Sequence, residues 1–280
     1  MKRNRLISLA VFSAISLSLI GAIAAPEVPT VDGPADVSVE CASHMGTEVT
    51  LTATVGDADG DALTVTWSVD GVDVHTEQVP ASGPPTAASV SFTHTYPMGN
   101  SAVVVTVSDG SAAASASSTV SVVDTTPPAV DAGVALSSLW PPNHNLTTVG
   151  LSAVIHDICD PHPQVWVEVY GDEDDEMAAG DGRHSPDARN IALSSLRLRS
   201  ERRGDADGRV YLIVVKARDE SGNVGFDATT VVVPHSNSRA AHASVAAQAS
   251  AALNWAMSHG GNPPAGFFVV GDGPVLGPKQ

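Results

Sequence analysis

Apolar side chains occupy every second position through Val49, Leu51, Ala53 and Val55, again through Leu63, Val65 and Trp67, and again through Val103, Val105 and Val107. A period of two sends successive side chains to opposite faces of an extended chain, so these stretches read as half-buried strands. Gly, Pro and Asp punctuate them, and the pattern predicts about seven short strands per unit, as in a β-sandwich.

The unit occurs twice. Displaced by 100 residues, Val49, Leu51, Ala53, Asp57, Val65, Val69 and Gly71 fall on Val149, Leu151, Ala153, Asp157, Val165, Val169 and Gly171. Further on the offset becomes 110, placing Asp109 on Asp219 and Val122-Val123 on Val232-Val233. A fixed period of this size marks tandem copies. The second copy therefore carries about ten extra residues, found in the acidic, non-periodic stretch Asp172 to Asp187, which reads as a long surface loop. Between the copies stands Asp124-Thr125-Thr126-Pro127-Pro128, where two prolines stop strand pairing and stiffen the joint.

Both ends break the pattern. Lys2, Arg3 and Arg5 precede an apolar run from Leu6 to Ile20 and the small residues Ala22-Ile23-Ala24, the form of a secretory signal. That run is short for a membrane span, which weighs against a retained anchor helix, and no cysteine stands near the cleavage site to take a lipid. After Val233, Ala240 to Met257 is alanine-rich with Val245, Leu253 and Trp255 and reads as one weakly amphipathic helix, ended by Gly260-Gly261 and Pro263-Pro264. The expected organisation is a signal peptide at 1–25, a β-sandwich at 26–124, a second at 125–235 with the acidic insertion, and a helical, partly disordered tail at 236–280. The class is all-β, two tandem immunoglobulin-like β-sandwich domains.

Charge narrows the partners. The net charge is -17, and removing three basic residues with the leader takes 14 basic against 31 acidic groups to 11 against 31, or -20. Such a chain repels nucleic acid and anionic membrane, and the mature chain has no segment expected to insert into one. Divalent cations are its natural counter-ions.

In a sandwich, the loop between the second and third strands and the loop between the last two emerge at one pole. This gathers Asp57, Asp59 and Asp61 beside Asp109, and in the second copy Asp157, Asp219, Glu220 and Asn223, with Asp124 arriving from the linker. Crowded carboxylates raise one another's energy unless a cation sits among them. Calcium, Ca2+, takes six to eight oxygens from flexible loops and is the expected ion. The alternative is plain turn chemistry, since Asp and Gly bond their own backbone in many turns that bind nothing. A helix-loop-helix calcium loop does not fit, because a strand pattern follows and the closing Glu is absent.

Cys41 and Cys159 fall at the two sides of the junction, and a disulfide between them is expected if their α-carbons come within about 7 Å. The alternative is two independent thiols. His156, Cys159 and His162 have a spacing that suggests a transition-metal site, but three ligands around a proline lack a fourth partner. No nucleophile elbow, zinc-protease helix, phosphate loop or dinucleotide fingerprint occurs, so no catalytic residues are assigned and the protein is expected not to be an enzyme. Asn145-Leu146-Thr147 matches a glycosylation acceptor.

The first copy, with Val39-Glu40-Cys41, Asp57-Ala58-Asp59-Gly60-Asp61, Thr64-Val65-Thr66-Trp67 and Thr106 to Asp109, resembles the polycystic-kidney-disease (PKD) type of immunoglobulin-like domain. The second resembles the hyalin-repeat (HYR) type. It has Leu139-Trp140-Pro141-Pro142-Asn143-His144, Asp157 to Pro161, Gly180-Asp181-Gly182, Arg197 to Arg203, Gly208 to Tyr211 and Ala217 to Asn223. The resemblance spans about Pro34 to His235 and implies exported bacterial proteins, immunoglobulin-like folds, extracellular or cell-surface placement, and non-catalytic adhesion or spacer roles. Trp140 and His144 then offer a recognition surface, unless Trp140 is a buried anchor of its domain. The leading expectation is a secreted adhesion or recognition module, calcium-stabilised, that meets an extracellular protein or glycan. The alternative is a carbohydrate-binding or spacer module serving a secreted hydrolase, which requires a planar row of exposed aromatics in a chain with only 4% of them.

Overall fold

The structure, a computed structural model, describes residues 26–174 and 184–271. The leader at 1–25, the middle of the acidic insertion at 175–183 and the tail from 272 onward, where those expectations fall, lie outside the described residues. Among the described residues the fold is all-β, two immunoglobulin-like β-sandwiches with one helix after the second.

The first sandwich is built from β1 (Thr30–Asp32), β2 (Val37–Glu40), β3 (Thr47–Asp57), β4 (Leu63–Val69), β5 (Val72–Val79), β6 (Thr86–Tyr96), β7 (Gly99–Ser108) and β8 (Ala113–Val123). One sheet has the order β1-β3-β6 and the other β2-β8-β7-β4-β5. The opening segment serves both: β1 pairs antiparallel with β3, and β2 then runs parallel to β8. The chain changes sheets at Gly33, where a Cβ would stand 2.6 Å from the Ala116 Cβ, so the crossing has no room for a side chain.

The second sandwich continues with β9 (Ala129–Val134), β10 (Leu146–Thr148), β11 (Leu151–His156), β12 (Gln164–Gly171), β13 (Ala188–Arg189), β14 (Arg197–Arg199), β15 (Gly208–Arg218) and β16 (Val224–Pro234). Helix α1 (Arg239–Ser258) and β17 (Phe268–Val269) follow. Its sheets are β16-β15-β12-β17, β10-β14-β13 and β11-β9.

By contact, the described residues fall into two compact units. The first comprises the chain up to Pro34 with Thr52–Ser91 and Val104–Ser117, and the second Ala35–Leu51, Phe92–Val103 and everything from Ser118. In the first, Val55, Leu63, Val65, Trp67, Val105 and Val107 are buried on the inner faces, as the period of two requires. In the second, the main core joins Leu139, Leu151, Val167, Val169, Leu196, Leu198, Tyr211 and Ile213.

Alternation fails in β15, where Gly208 to Val215 are all buried. The reason is α1, whose buried stripe Val245, Ala249, Ala252 and Ala256 covers the outer face of that strand and of β16. Small residues let the helix lie close. A Cβ on Gly208 would already be 3.0 Å from a Val245 methyl, and Gly208 sits at φ 123°. The Ser238 hydroxyl caps the helix by accepting from the Ala241 amide at 3.1 Å, and the Gly261 amide, in a left-handed residue, closes its last turn onto the Ala256 carbonyl at 2.9 Å. Among the described residues no helix is long and apolar enough to cross a membrane.

Candidate functional site

Asp57 ends β3, and the tight turn Ala58-Asp59-Gly60 brings Asp59 and Asp61 back over it. Gly60 has φ 86°, and a Cβ there would lie 2.5 Å from the Pro84 nitrogen, so conformation and space both demand glycine. One oxygen from each of the three carboxylates lies within 4.8 Å of the others. Asp57 Oδ1 accepts from the Asp61 amide at 3.1 Å and Asp59 Oδ2 from the Glu27 amide at 2.7 Å. Asp57 is only 3% exposed, and its Oδ2 is buried with no hydrogen-bond partner. A buried charged oxygen without a donor is costly, and two further carboxylates beside it add repulsion. A hard cation with oxygen ligands relieves both, so the residues present fit calcium.

Asp109 does not belong to this three-carboxylate group. Its Oδ1 accepts from the amides of Ser111 at 2.6 Å and Ala112 at 2.7 Å, and these bonds hold its carboxyl below the usual carboxylate range. The residue builds the β7–β8 turn.

The second acidic group lies in the second unit and joins three loops. Asp124 follows β8, Asp157 follows β11 and Asp219 follows β15, again with one oxygen each within 4.8 Å of the others. Asp157 Oδ1 takes the Cys159 amide at 2.8 Å and the Asp160 amide at 2.7 Å, an Asx turn that fixes the loop. Asp219, 5% exposed, accepts from the Asn223 amide at 2.8 Å and from its Nδ2 at 2.9 Å. The same Nδ2 donates to the Asp124 carbonyl at 3.0 Å, so Asn223 ties linker to loop. Burial, with the charges of Asp219 and Asp157 beside it, pushes the Asp124 carboxyl upward. Glu220 stays outside the cluster: its amide donates to Asp160 Oδ2 at 3.1 Å. With Asp160, His162, Gln164 and Arg218 it lines a polar cavity of about 460 Å³.

Cys41, just past β2, forms a disulfide with Cys159, their α-carbons 6.2 Å apart and 118 positions apart in sequence. The His44 amide also donates to the Ile158 carbonyl at 3.0 Å, reinforcing the same crossing. With its sulfur so engaged, Cys159 is no metal ligand with His156 and His162.

Trp140 is 45% exposed, whereas Leu139 beside it is 3% exposed. The anchor of this segment is therefore the leucine, and the indole faces outward. His144 points inward: its Nδ1 lies 3.0 Å from Glu201 Oε2, and its ring stacks on His184 at 4.0 Å. It adjoins an ionic network not foreseen from the sequence. Arg209, 2% exposed, bonds the Glu173 carboxylate at 2.8 Å, the Asp187 carboxylate, and the Tyr211 hydroxyl at 3.1 Å. Burial alone would lower the pKa of that guanidinium, but its oxygen neighbours reverse this and hold it firmly charged. Across the sheet, Glu168 accepts from Trp166 Nε1 at 2.8 Å, the Tyr170 hydroxyl at 2.7 Å and Lys216 Nζ at 2.9 Å. An Arg-rich run in an otherwise acidic chain was the one available signal for the first network; nothing flagged the second.

No family model matches the chain, and no curated protein does. Among solved structures it resembles fibronectin(III)-like modules of Clostridium thermocellum CbhA, at 22% identity and a TM-score of 0.27 over 35% of this chain and 100% of that one. It resembles a CARDB domain from Pyrococcus furiosus solved with di-metal ions, at 17% identity and TM-score 0.27 over 35% and 96%. It also resembles a pair of titin domains in complex with telethonin, at 16% identity and TM-score 0.38 over 75% and 98%.

Proposed function

We propose that the protein is a non-catalytic, secreted or cell-surface recognition and adhesion module whose acidic loops bind calcium. The observation that carries this reading is Asp57 Oδ2, a buried carboxylate oxygen with no donor, held beside two further carboxylates. Asp124, Asp157 and Asp219 repeat the arrangement where the linker meets two loops of the second sandwich. Asp57, Asp59 and Asp61 would hold one ion, Asp124, Asp157 and Asp219 another, each supplying charge neutralisation and rigidity and no chemistry. The disulfide supports an oxidising compartment, as does the form of the leader. The sequence resemblance to PKD-type and HYR-type domains supports adhesion to an extracellular protein or glycan, with the loops and the outward Trp140 as the contact surface.

The test is a thermal melt of the mature protein in millimolar calcium and in chelator, with magnesium as a control. Binding near the affinity of extracellular modules, about 0.1 to 1 mM, raises the melting temperature, and more so as calcium increases. Identical melts in calcium and chelator would remove the metal sites. Recovery of the native protein from the cytoplasm with both thiols reduced would remove the extracellular reading.

A further inference from the structure

Where the second half of α1 approaches the segment leading into β17, a cavity of about 380 Å³ opens. Its walls are apolar: Ala251 and Ala252 from the helix, Pro264 and Phe267 from the returning chain. Trp255 forms one side. The residue is 44% exposed although its ring stacks on His259 at 3.7 Å and 6°. Among the described residues only two polar side chains line the cavity, Asp172 and Gln248, and none of the lining residues is Lys or Arg. Gln248 Nε2 is committed to Asp207 Oδ2 at 3.0 Å, and Asp172 Oδ1 accepts from the Val210 amide at 2.9 Å. Asp172 Oδ2 takes no part in that bond.

A lone carboxylate in an apolar wall beside an aromatic face is the recognition chemistry of an organic cation. The ring quadrupole and the carboxylate both attract positive charge, and the hydrocarbon part of the ligand covers apolar surface. A neutral sugar would need several free hydrogen-bonding groups, and an anion would meet a carboxylate in a chain of net charge -17. We propose that this cavity binds a small organic ammonium, its charge between the Asp172 carboxylate and the Trp255 ring and its alkyl part against Ala252, Pro264 and Phe267. Burial and the neighbouring Glu173 push the Asp172 carboxyl up to about 7, against the opposing pull of the Val210 amide and Arg209. Among the described residues the other titratable groups beside the cavity are Asp207, held through Gln248, and His259 behind the indole.

The site is independent of the calcium sites, so the test is run in chelator. The mature protein is titrated calorimetrically with choline, with n-butylammonium and with 3,3-dimethylbutan-1-ol, the neutral counterpart of choline. The cations bind and the alcohol binds at least tenfold more weakly; the order of the two cations tells a trimethylammonium headgroup from a lysine-like amine. Binding strengthens about tenfold from pH 6 to pH 8, because an acid of pKa about 7 passes from about one-tenth to about nine-tenths ionised. Near pH 7 protons are released on binding, visible as a dependence of the heat on the buffer. Asp172→Asn abolishes the pH dependence and most of the affinity, Trp255→Ala weakens binding, and Trp255→Phe restores part of it; melting curves of each variant establish that it is folded. Equal binding of the neutral alcohol, unchanged affinity in folded Asp172→Asn, or no heat from either cation at millimolar concentration would overturn the proposal.

Discussion

Replacing both Cys41 and Cys159 by Ser reopens a loop of 118 residues, 159 minus 41. In the chain-entropy treatment such closure removes about 16 cal/mol/K from the unfolded ensemble, or about 5 kcal/mol at room temperature. The figure depends little on the unfolding order. If residues up to Asp124 unfold while the rest stays folded, the tethered loop is 124 minus 41, or 83 residues, and the logarithm lowers the value only to about 4.5 kcal/mol. The His44 to Ile158 hydrogen bond is made with or without the disulfide and so leaves this difference unchanged. With a urea slope of about 2 kcal/mol per molar, the double variant unfolds about 2 M earlier than the oxidised protein. Equilibrium urea unfolding followed by tryptophan fluorescence measures this, with the reduced native protein as a second control. A midpoint within about 0.5 M of the parent would refute the reasoning, because the cross-link would then constrain nothing that the folded contacts do not already hold.

Four further outcomes are expected. In chelator, Asp57→Asn is more stable than the parent by roughly 1 kcal/mol in urea unfolding, since one of three crowded charges is gone, and its response to calcium disappears at that site. Arg209→Met leaves the buried Glu173 carboxylate without its guanidinium and Asp187 with Arg199 as its remaining cation, and costs about 3 to 5 kcal/mol in urea unfolding. Gly225→Ala would set a Cβ 1.7 Å from the Pro128 carbonyl oxygen, so β16 must move away from the linker, and the variant shows a strongly lowered melting temperature or no soluble folded protein. Raised carboxyls bind protons more tightly when folded, so the stabilisation they bring is full below their ordinary value and is lost as pH rises through the shifted one. For Asp172, from 3.8 to about 7, the melting temperature in chelator therefore falls between pH 4 and pH 8, and Asp172→Asn flattens the slope by on the order of 2 kcal/mol after allowing for partial exposure. Asp124 contributes in the same direction. Glu40 and Asp109, shifted downward, act only at more acid pH.

Three strands of the first copy were legible because each has one wet and one dry face: β3 alternates buried and exposed residues from Thr47 to Asp57, β4 buries Leu63, Val65, Trp67 and Val69, and β7 buries Val103, Val105 and Val107. In the second copy the same rule misplaces Val165, 37% exposed where its counterpart Val65 is fully buried. Neighbouring coverage, not the residue's own hydrophobicity, sets that difference. The helix could be read from composition but its docking could not, since alanine suits solvent and close packing equally well. Asp57 and Asp109 show the limit for candidate ligands. Each is an aspartate before a glycine-bearing turn with one oxygen on loop amides and a buried Oδ2 without a donor, and only geometry reveals that Asp57 stands in a group with Asp59 and Asp61 whereas Asp109 stands outside it. The Arg209 network joins residues 22 and 36 positions apart, a pairing that no local pattern encodes.

Because α1 roofs β15 and β16, this domain keeps a face that most two-layer sandwiches leave to solvent. Proteolytic clipping near Ser238, or a frameshift just beyond it, would strip the cover from Val210, Leu212, Val214 and Phe226 together. The remaining sheet would present a broad greasy plane and self-associate, so the alanine-rich segment serves the chain as a built-in guard against clumping.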